Sequence, residues 1–153
     1  MVPAAAREPT LDLGILPNQV GYHLRLAQIA VFEDFAETFH DHGMSPGRFG
    51  VMVLIEANPG VSQGQLAQAI HLDRSTMVSV IDYLEGRDLV VRKASATDRR
   101  TNALWITPKG AELLADLKKL VEQHEERILA DLSAEERAQL VQLLNRVKRQ
   151  NLL

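Results

Sequence analysis

Residues 62–87 read SQGQLAQAIHLDRSTMVSVIDYLEGR, and the punctuation of this stretch decides the architecture. Ser62 followed three places on by Gln65 is a capping box, in which each residue satisfies an orphan amide of the other. A helix therefore opens near Gln63, with Leu66, Ala67 and Ile70 on one face. His71-Leu72-Asp73 interrupts it, and a second helical run from Arg74 to Arg87 turns Met77, Val78, Ile81 and Leu84 inward. Two amphipathic helices joined that tightly predict a helix-turn-helix, although any small helical bundle can contain such a pair.

The pattern on either side narrows the choice. After Gly86 the spacing changes to a β-type run, Leu89 to Arg92, then a polar stretch from Ala94 to Asn102, then Ala103-Leu104-Trp105-Ile106, which together predict a hairpin, or wing. Thr107-Pro108 opens a helix carrying Leu113, Leu114, Leu117, Leu120, Val121 and Ile128, and Ser133 with Glu136 is a second capping box ahead of Leu140, Leu143, Leu144 and Val147. Upstream, Asn18 to His42 reads as one long helix with Leu24, Val31, Phe35 and Phe39 at helical spacing, and Ser45-Pro46 starts a short one that Asn58-Pro59-Gly60 stops. The predicted fold is mainly α with a small β-wing: a winged helix-turn-helix over 46–107, dimerisation helices over 18–45 and 108–153, and a flexible N-terminal arm over 1–17. Long terminal helices would expose apolar stripes unless a second copy of the chain covered them.

Composition excludes several classes. The 153 residues contain no cysteine, which removes disulfide scaffolds, cysteine-ligated zinc and thiol chemistry. No window is apolar enough to span a membrane, and residues 1–10 lack the basic and apolar regions of a signal peptide, so a cytoplasmic address is expected. No nucleophile motif, phosphate loop or placed carboxylate pair suggests an enzyme, and nothing calls for a cofactor. The net charge is −3, yet Ser62 to Gly110 holds seven Lys or Arg against five Asp or Glu, so the positive charge is concentrated where the helix pair and wing lie.

That distribution gives the polar faces a meaning. With Met77, Ile81 and Leu84 buried, Ser75, Thr76, Ser79 and Tyr83 face outward beside Arg74. Alone such a face is ordinary solvated surface; between a capped helix and a basic wing it is suited to a major groove. Arg92, Lys93, Asp98, Arg99 and Arg100 lie within nine residues on the wing, where guanidinium groups can enter a minor groove. Ser62 and Gln63, opening the preceding helix, are counted with these DNA-binding candidates.

The segments Leu72-Asp73-Arg74-Ser75-Thr76, Val80 to Val90, Asp98-Arg99-Arg100 and Leu104 to Gly110 resemble the MarR family of winged helix-turn-helix regulators in order and spacing, over about Asn18 to Gln150. The resemblance implies that Asp98 braces the wing and Arg100, or alternatively Arg99, enters the minor groove, and that Arg74, Ser75, Thr76 and Ser79 sit at recognition positions. It also implies a homodimer on a pseudo-palindromic double-stranded operator, repressing until a small molecule loosens the DNA-binding geometry. Leu16 to Ala27 is similar to the first helix of members that govern catabolism of aromatic acids, some of which answer to a CoA thioester.

Five of the seven aromatic residues, Tyr22, Phe32, Phe35, Phe39 and Phe49, fall in the first two helices. Core and dimer packing accounts for Phe35 and Phe39. Phe32, Phe49 and Met52, with His23, Arg25 and Arg48 as anion partners, form the candidate effector site. His40, Glu37 and Glu33 share a helical face and could contribute metal ligands, but histidines at a helix end are ordinarily explained by its dipole, and no metal site is assigned. The competing reading is a winged-helix protein-interaction module that does not read DNA sequence.

Overall fold

The computed structural model describes residues 11–94 and 102–147. Its helices are α1 (Val20–Phe39), α2 (Pro46–Ala57), α3 (Gln63–Ala69), α4 (Arg74–Gly86), α5 (Pro108–Ile128) and α6 (Ala134–Arg146), with strands β1 (Val61–Ser62), β2 (Val90–Ala94) and β3 (Asn102–Ile106). Each cap read from the sequence is present as a hydrogen bond. Ser45 accepts from the Arg48 amide, Thr107 from Gly110, and Ser62 and Ser133 close full capping boxes with Gln65 and Glu136. Such a cap stabilises a helix by about 1 kcal/mol, which is why short polar residues punctuate the chain where helices begin.

The first helix differs from the expected Asn18–His42 run. A single 3-10 turn occupies Leu16–Asn18, Gln19 is extended, α1 begins at Val20, and after Phe39 a second 3-10 turn at His40–His42 ends in left-handed Gly43. Gly43 has φ +59°, and a Cβ there would stand 2.6 Å from the Tyr83 hydroxyl, so only glycine makes this corner without strain.

The antiparallel sheet has the order β1-β3-β2. Val90 to Ala94 pairs with Ile106 to Asn102, and the two residues of β1 add to the other edge of β3, Val61 opposite Leu104 and Ser62 opposite Ala103. The hairpin was expected; β1 was not. Ser62 thus belongs to the sheet and caps α3.

Phe35, Phe39, Met52, Ile55, Leu66, Met77, Ile81, Leu84, Leu89, Leu104, Leu114 and Leu117 form one core shared by α1, α2, the helix pair, the sheet and α5. Fully burying a side chain of this size contributes about 1.5–3 kcal/mol. Gly110 is required where α5 meets the strand entry: a Cβ on it would lie 2.0 Å from the Leu89 carbonyl oxygen. Two features depart from the expected inner faces. Val78 is 44% exposed on the groove side of α4, and Met52, placed in the candidate effector site, is fully buried in the core.

The ends of the chain are less covered. Leu24, Leu26, Ile29 and Phe32 on α1 are exposed, as are Leu140, Val141, Leu143 and Leu144 on α6, where no residue is buried. Asp34 ties α1 to α5. Its carboxylate accepts from Nδ1 of buried His124 at 2.6 Å and from Arg127 at 2.8 and 3.2 Å, while Arg127 also donates to Thr38 at 2.6 Å. Hydrogen bonds from Arg127 and then His124 hold the Asp34 carboxyl well below the usual carboxylate range.

Candidate nucleic-acid interface

The start of α3, the start of α4 and the start of β3 enclose a groove of about 480 Å³ lined by Ser62, Gln63, Gly64, Arg74, Met77, Val78 and Asn102. Arg74, Ser75, Thr76 and Ser79 are exposed on the adjoining face of α4. Asp73, not singled out by the sequence reading, organises them. It is the N-cap of α4: its Oδ1 accepts the Thr76 amide at 2.9 Å and the Ser75 hydroxyl at 2.5 Å, and its Oδ2 accepts the Thr76 hydroxyl at 2.6 Å. The Ser75 and Thr76 hydrogen bonds hold its carboxyl far below the ordinary range, so it is ionised near neutrality. The signal was in the sequence, since aspartate just ahead of a helical run is a preferred N-cap.

Arg92 does not behave as a free wing cation. Its guanidinium donates to Asp82 at 2.6 Å, to Glu85 and, through Nε, to the Gln63 side-chain oxygen at 3.2 Å. One side chain from β2 therefore joins both helices of the pair. Burial is the largest single influence and disfavours its charge, but the hydrogen bonds and charges of Asp82 and Glu85 together outweigh it and raise its pKa. Gln63 turns its oxygen toward Arg92, which puts its amide nitrogen on the other side. Lys93 lies 5.5 Å over the Trp105 ring. Asp98, Arg99 and Arg100 lie outside the described residues.

Tyr83, expected on the outer face with the serines, is half-buried instead. A phenol reaches far enough to donate to the Gly43 carbonyl at 2.7 Å, which also accepts from Arg48 at 3.0 Å. The Arg48 guanidinium stacks 3.5 Å above the Tyr83 ring, and Arg87 donates to the His42 carbonyl at 2.7 Å. The C-terminal half of α4 is thereby fastened to the corner between α1 and α2.

The six candidate effector residues are not gathered in one place. Arg25 and Phe32 share a shallow groove of about 360 Å³ on α1 with Gln28, Ile29, Glu33 and Ala36. His23 is exposed and bonded to the Pro17 carbonyl at 2.8 Å. Arg48 is engaged by Tyr83, and Phe49 packs near the Phe35 and Phe39 rings at 6.3 Å. Burial against the core, which spacing alone does not report, separates Met52 and Phe49 from Phe32. Among the described residues no three His, Asp or Glu side chains are placed to share a metal ion.

Comparison with known proteins settles the family. The MarR family profile matches residues 42–101. A Thauera aromatica protein assigned as the transcriptional regulatory protein for the hcr operon is 41% identical over 150 residues, 97% of this chain and 90% of the relative. The chain belongs to the MarR family. It is a transcriptional regulator of that family, not an enzyme. Among solved structures of the family, the repressor CouR bound to a 23-mer DNA duplex superposes with a TM-score of 0.86 at 39% identity, covering 91% of this chain and 99% of that one. CouR bound to p-coumaroyl-CoA superposes at 0.82 with 37% identity, covering 92% and 99%. The mainly helical fold with its small three-stranded sheet is that of these MarR-type winged helices.

Proposed function

We propose that this MarR-family chain is a homodimeric repressor that binds a pseudo-palindromic operator and is released by an aromatic acid or its CoA thioester. The carrying observation is the exposed start of α4. Arg74, Ser75, Thr76 and Ser79 stand on a rigidly capped turn beside the groove formed with Ser62 and Gln63, at the end of the helix that winged-helix readers insert into the major groove. In the same reading Asp98 braces the wing, and Arg100, with Arg99 beside it, enters the minor groove.

The uncovered apolar residues of α1 and α6 support pairing of two copies, since side chains of this size left in water forgo their burial energy. For the effector, the α1 groove joins an aromatic ring, Phe32, to a cation, Arg25, the two features an aromatic acyl compound with phosphate groups would need. His23 lies about two and a half turns before Phe32 on the same helix, on its opposite side, so neither it nor buried Met52 stays within the proposal. The p-coumaroyl-CoA seen in CouR, a relative of 37% identity, points to the same chemical class. Release requires a coupling free energy of only about 1–3 kcal/mol between effector and operator.

Selection of bound duplexes from a random library is the test, followed by titration of the selected operator complex with p-coumaroyl-CoA and with free p-coumarate. The expected result is an inverted repeat with half-sites about one helical turn apart, whose affinity falls on adding the thioester. An operator complex indifferent to both compounds would remove the effector assignment. Weak binding without sequence enrichment and without salt dependence would favour the protein-interaction reading.

A further inference from the structure

The hydroxyls on the reading face of α4 have a fixed polarity. Asp73 is ionised and has no proton to give, so the Ser75 and Thr76 hydroxyls, whose oxygens lie 2.5 and 2.6 Å from its own, both donate to it. These are charge-assisted hydrogen bonds, the stronger kind. One turn on, the Ser79 hydroxyl donates to the Ser75 carbonyl at 3.1 Å, and a carbonyl likewise can only accept. A hydroxyl has one hydrogen and two lone pairs. With all three hydrogens committed inside the protein, Ser75, Thr76 and Ser79 offer only lone pairs to whatever approaches the face.

Resting on the proposal that α4 reads DNA, we propose that this face is an acceptor-only reader, selecting the base edges that carry an amino group in the major groove, adenine N6 and cytosine N4. The acceptor edges, guanine O6 and N7 and thymine O4, have nothing to receive from it. Donors for those edges and for phosphates come from neighbours instead, the Arg74 guanidinium and the Gln63 amide nitrogen. Asp73 is thus a positioning residue for specificity: it touches no base, and it decides what the Ser75 and Thr76 hydroxyls can say to one.

The inference separates two halves of base recognition that a hydroxyl ordinarily mixes. Serine and threonine pair with either kind of edge when their hydrogens are free. For Ser75 and Thr76 that freedom is removed by a carboxylate two or three residues away, on the turn that also caps the helix. Replacing Asp73 with asparagine keeps a good N-cap but changes the polarity. The amide oxygen still accepts the Thr76 N–H, while the amide nitrogen donates to a hydroxyl and frees that hydrogen for the groove.

The experiment uses the full chain and the operator it selects. At each half-site position where Ser75→Ala, Thr76→Val or Ser79→Ala weakens binding, adenine is replaced by purine, which lacks the 6-amino group, or cytosine by pyrimidin-2-one, which lacks the 4-amino group. Affinity should fall roughly 3- to 10-fold, the loss expected for one neutral hydrogen bond, and the loss should vanish in the matching hydroxyl-deletion variant. Replacing guanine by 7-deazaguanine at those positions should change nothing. A second selection with Asp73→Asn should move the consensus toward guanine or thymine at positions that depend on Ser75 or Thr76, and leave those that depend on Ser79 unchanged. The inference is overturned if the hydroxyl-dependent positions respond to loss of guanine N7 and not of amino groups, or if Asp73→Asn keeps the wild-type consensus at the positions that depend on Ser75 or Thr76. A wild-type chain that enriches no sequence would instead overturn the DNA-reading proposal itself, and this inference with it.

Discussion

Removing two negative charges from a DNA-facing module should raise its affinity for DNA, and for this chain the opposite is expected. The perturbation is Asp82→Asn with Glu85→Gln, the two carboxylates that hold Arg92. The Arg92 side chain is 19% exposed, against 38% for Glu85 and 60% for Asp82. The Asp82 pair is a largely solvated one, contributing about 0.5 kcal/mol. Glu85 also accepts the Arg92 backbone amide at 3.2 Å, and hydrogen bonds to a charged group contribute about 1.5–3 kcal/mol. Together roughly 2 kcal/mol of ordering between the wing and the helix pair is lost. If the operator complex has to restore that order, affinity falls about 30-fold, since 1.4 kcal/mol is a factor of ten. The assay is fluorescence anisotropy on the selected operator at several salt concentrations, with Arg92→Ala alongside. A cation that contacts phosphate contributes about 0.9 to the slope of log affinity against log salt. An internal tie contributes none, so Arg92→Ala should weaken binding at an unchanged slope. Tighter binding by the double variant, or a slope reduced by nearly one in Arg92→Ala, would refute the reasoning.

Arg100→Ala, at the wing position that the resemblance marks for the minor groove, should weaken operator binding and flatten the salt slope by about one unit, with the dimer mass unchanged by sedimentation. Leu144→Asp, on the uncovered face of α6, should shift the sedimenting species toward the monomer; a persistent dimer would place the interface elsewhere. Asp34→Ala leaves His124 buried without its acceptor and should cost about 2 kcal/mol in thermal or denaturant unfolding. The Asp34 carboxyl sits below its unfolded value because of Arg127 and then His124. Its contribution is therefore complete above about pH 4 and is lost as pH falls below that, and Asp34→Asn should flatten this acid limb of stability. Gly110→Ala forces a Cβ to 2.0 Å from the Leu89 carbonyl and should destabilise the fold by about 3 kcal/mol, read as a lowered unfolding midpoint.

Most of the architecture was legible because it is written in local chemistry. Ser45, Ser62, Thr107 and Ser133 each satisfy a backbone amide within three residues, and such contacts are visible as spacing. The helix pair and hairpin followed from the change in apolar period between Leu84 and Leu89. What escaped the sequence joins distant residues. Tyr83 reaches Gly43 across 40 positions and His124 reaches Asp34 across 90. Arg92 looks like one more wing cation until Gln63, Asp82 and Glu85 surround it. Val78 follows Met77 on the same helix yet faces the groove, and two-residue β1 is too short to carry an alternation. Among the candidate effector residues, Arg25 and Phe32 are about two turns apart on one exposed helix and line one groove, whereas Met52 is drawn into the core by the packing of α2.

The strand β1 has a consequence for how such a regulator can be switched. Because Ser62 is at once a rung of the sheet and the cap of α3, and Arg92 crosses from the wing to both helices, the reader is hydrogen-bonded into a single block. A block of this kind has few internal settings to adjust. In the proposed dimer, what remains adjustable is the gap between the two readers, and DNA measures gaps in steps of about 3.4 Å per base pair. An effector acting on the gap leaves each half-site's preferred sequence as it was and changes the preferred spacer. Control is then exerted over the arithmetic between two identical words, while the words themselves stay legible in both states.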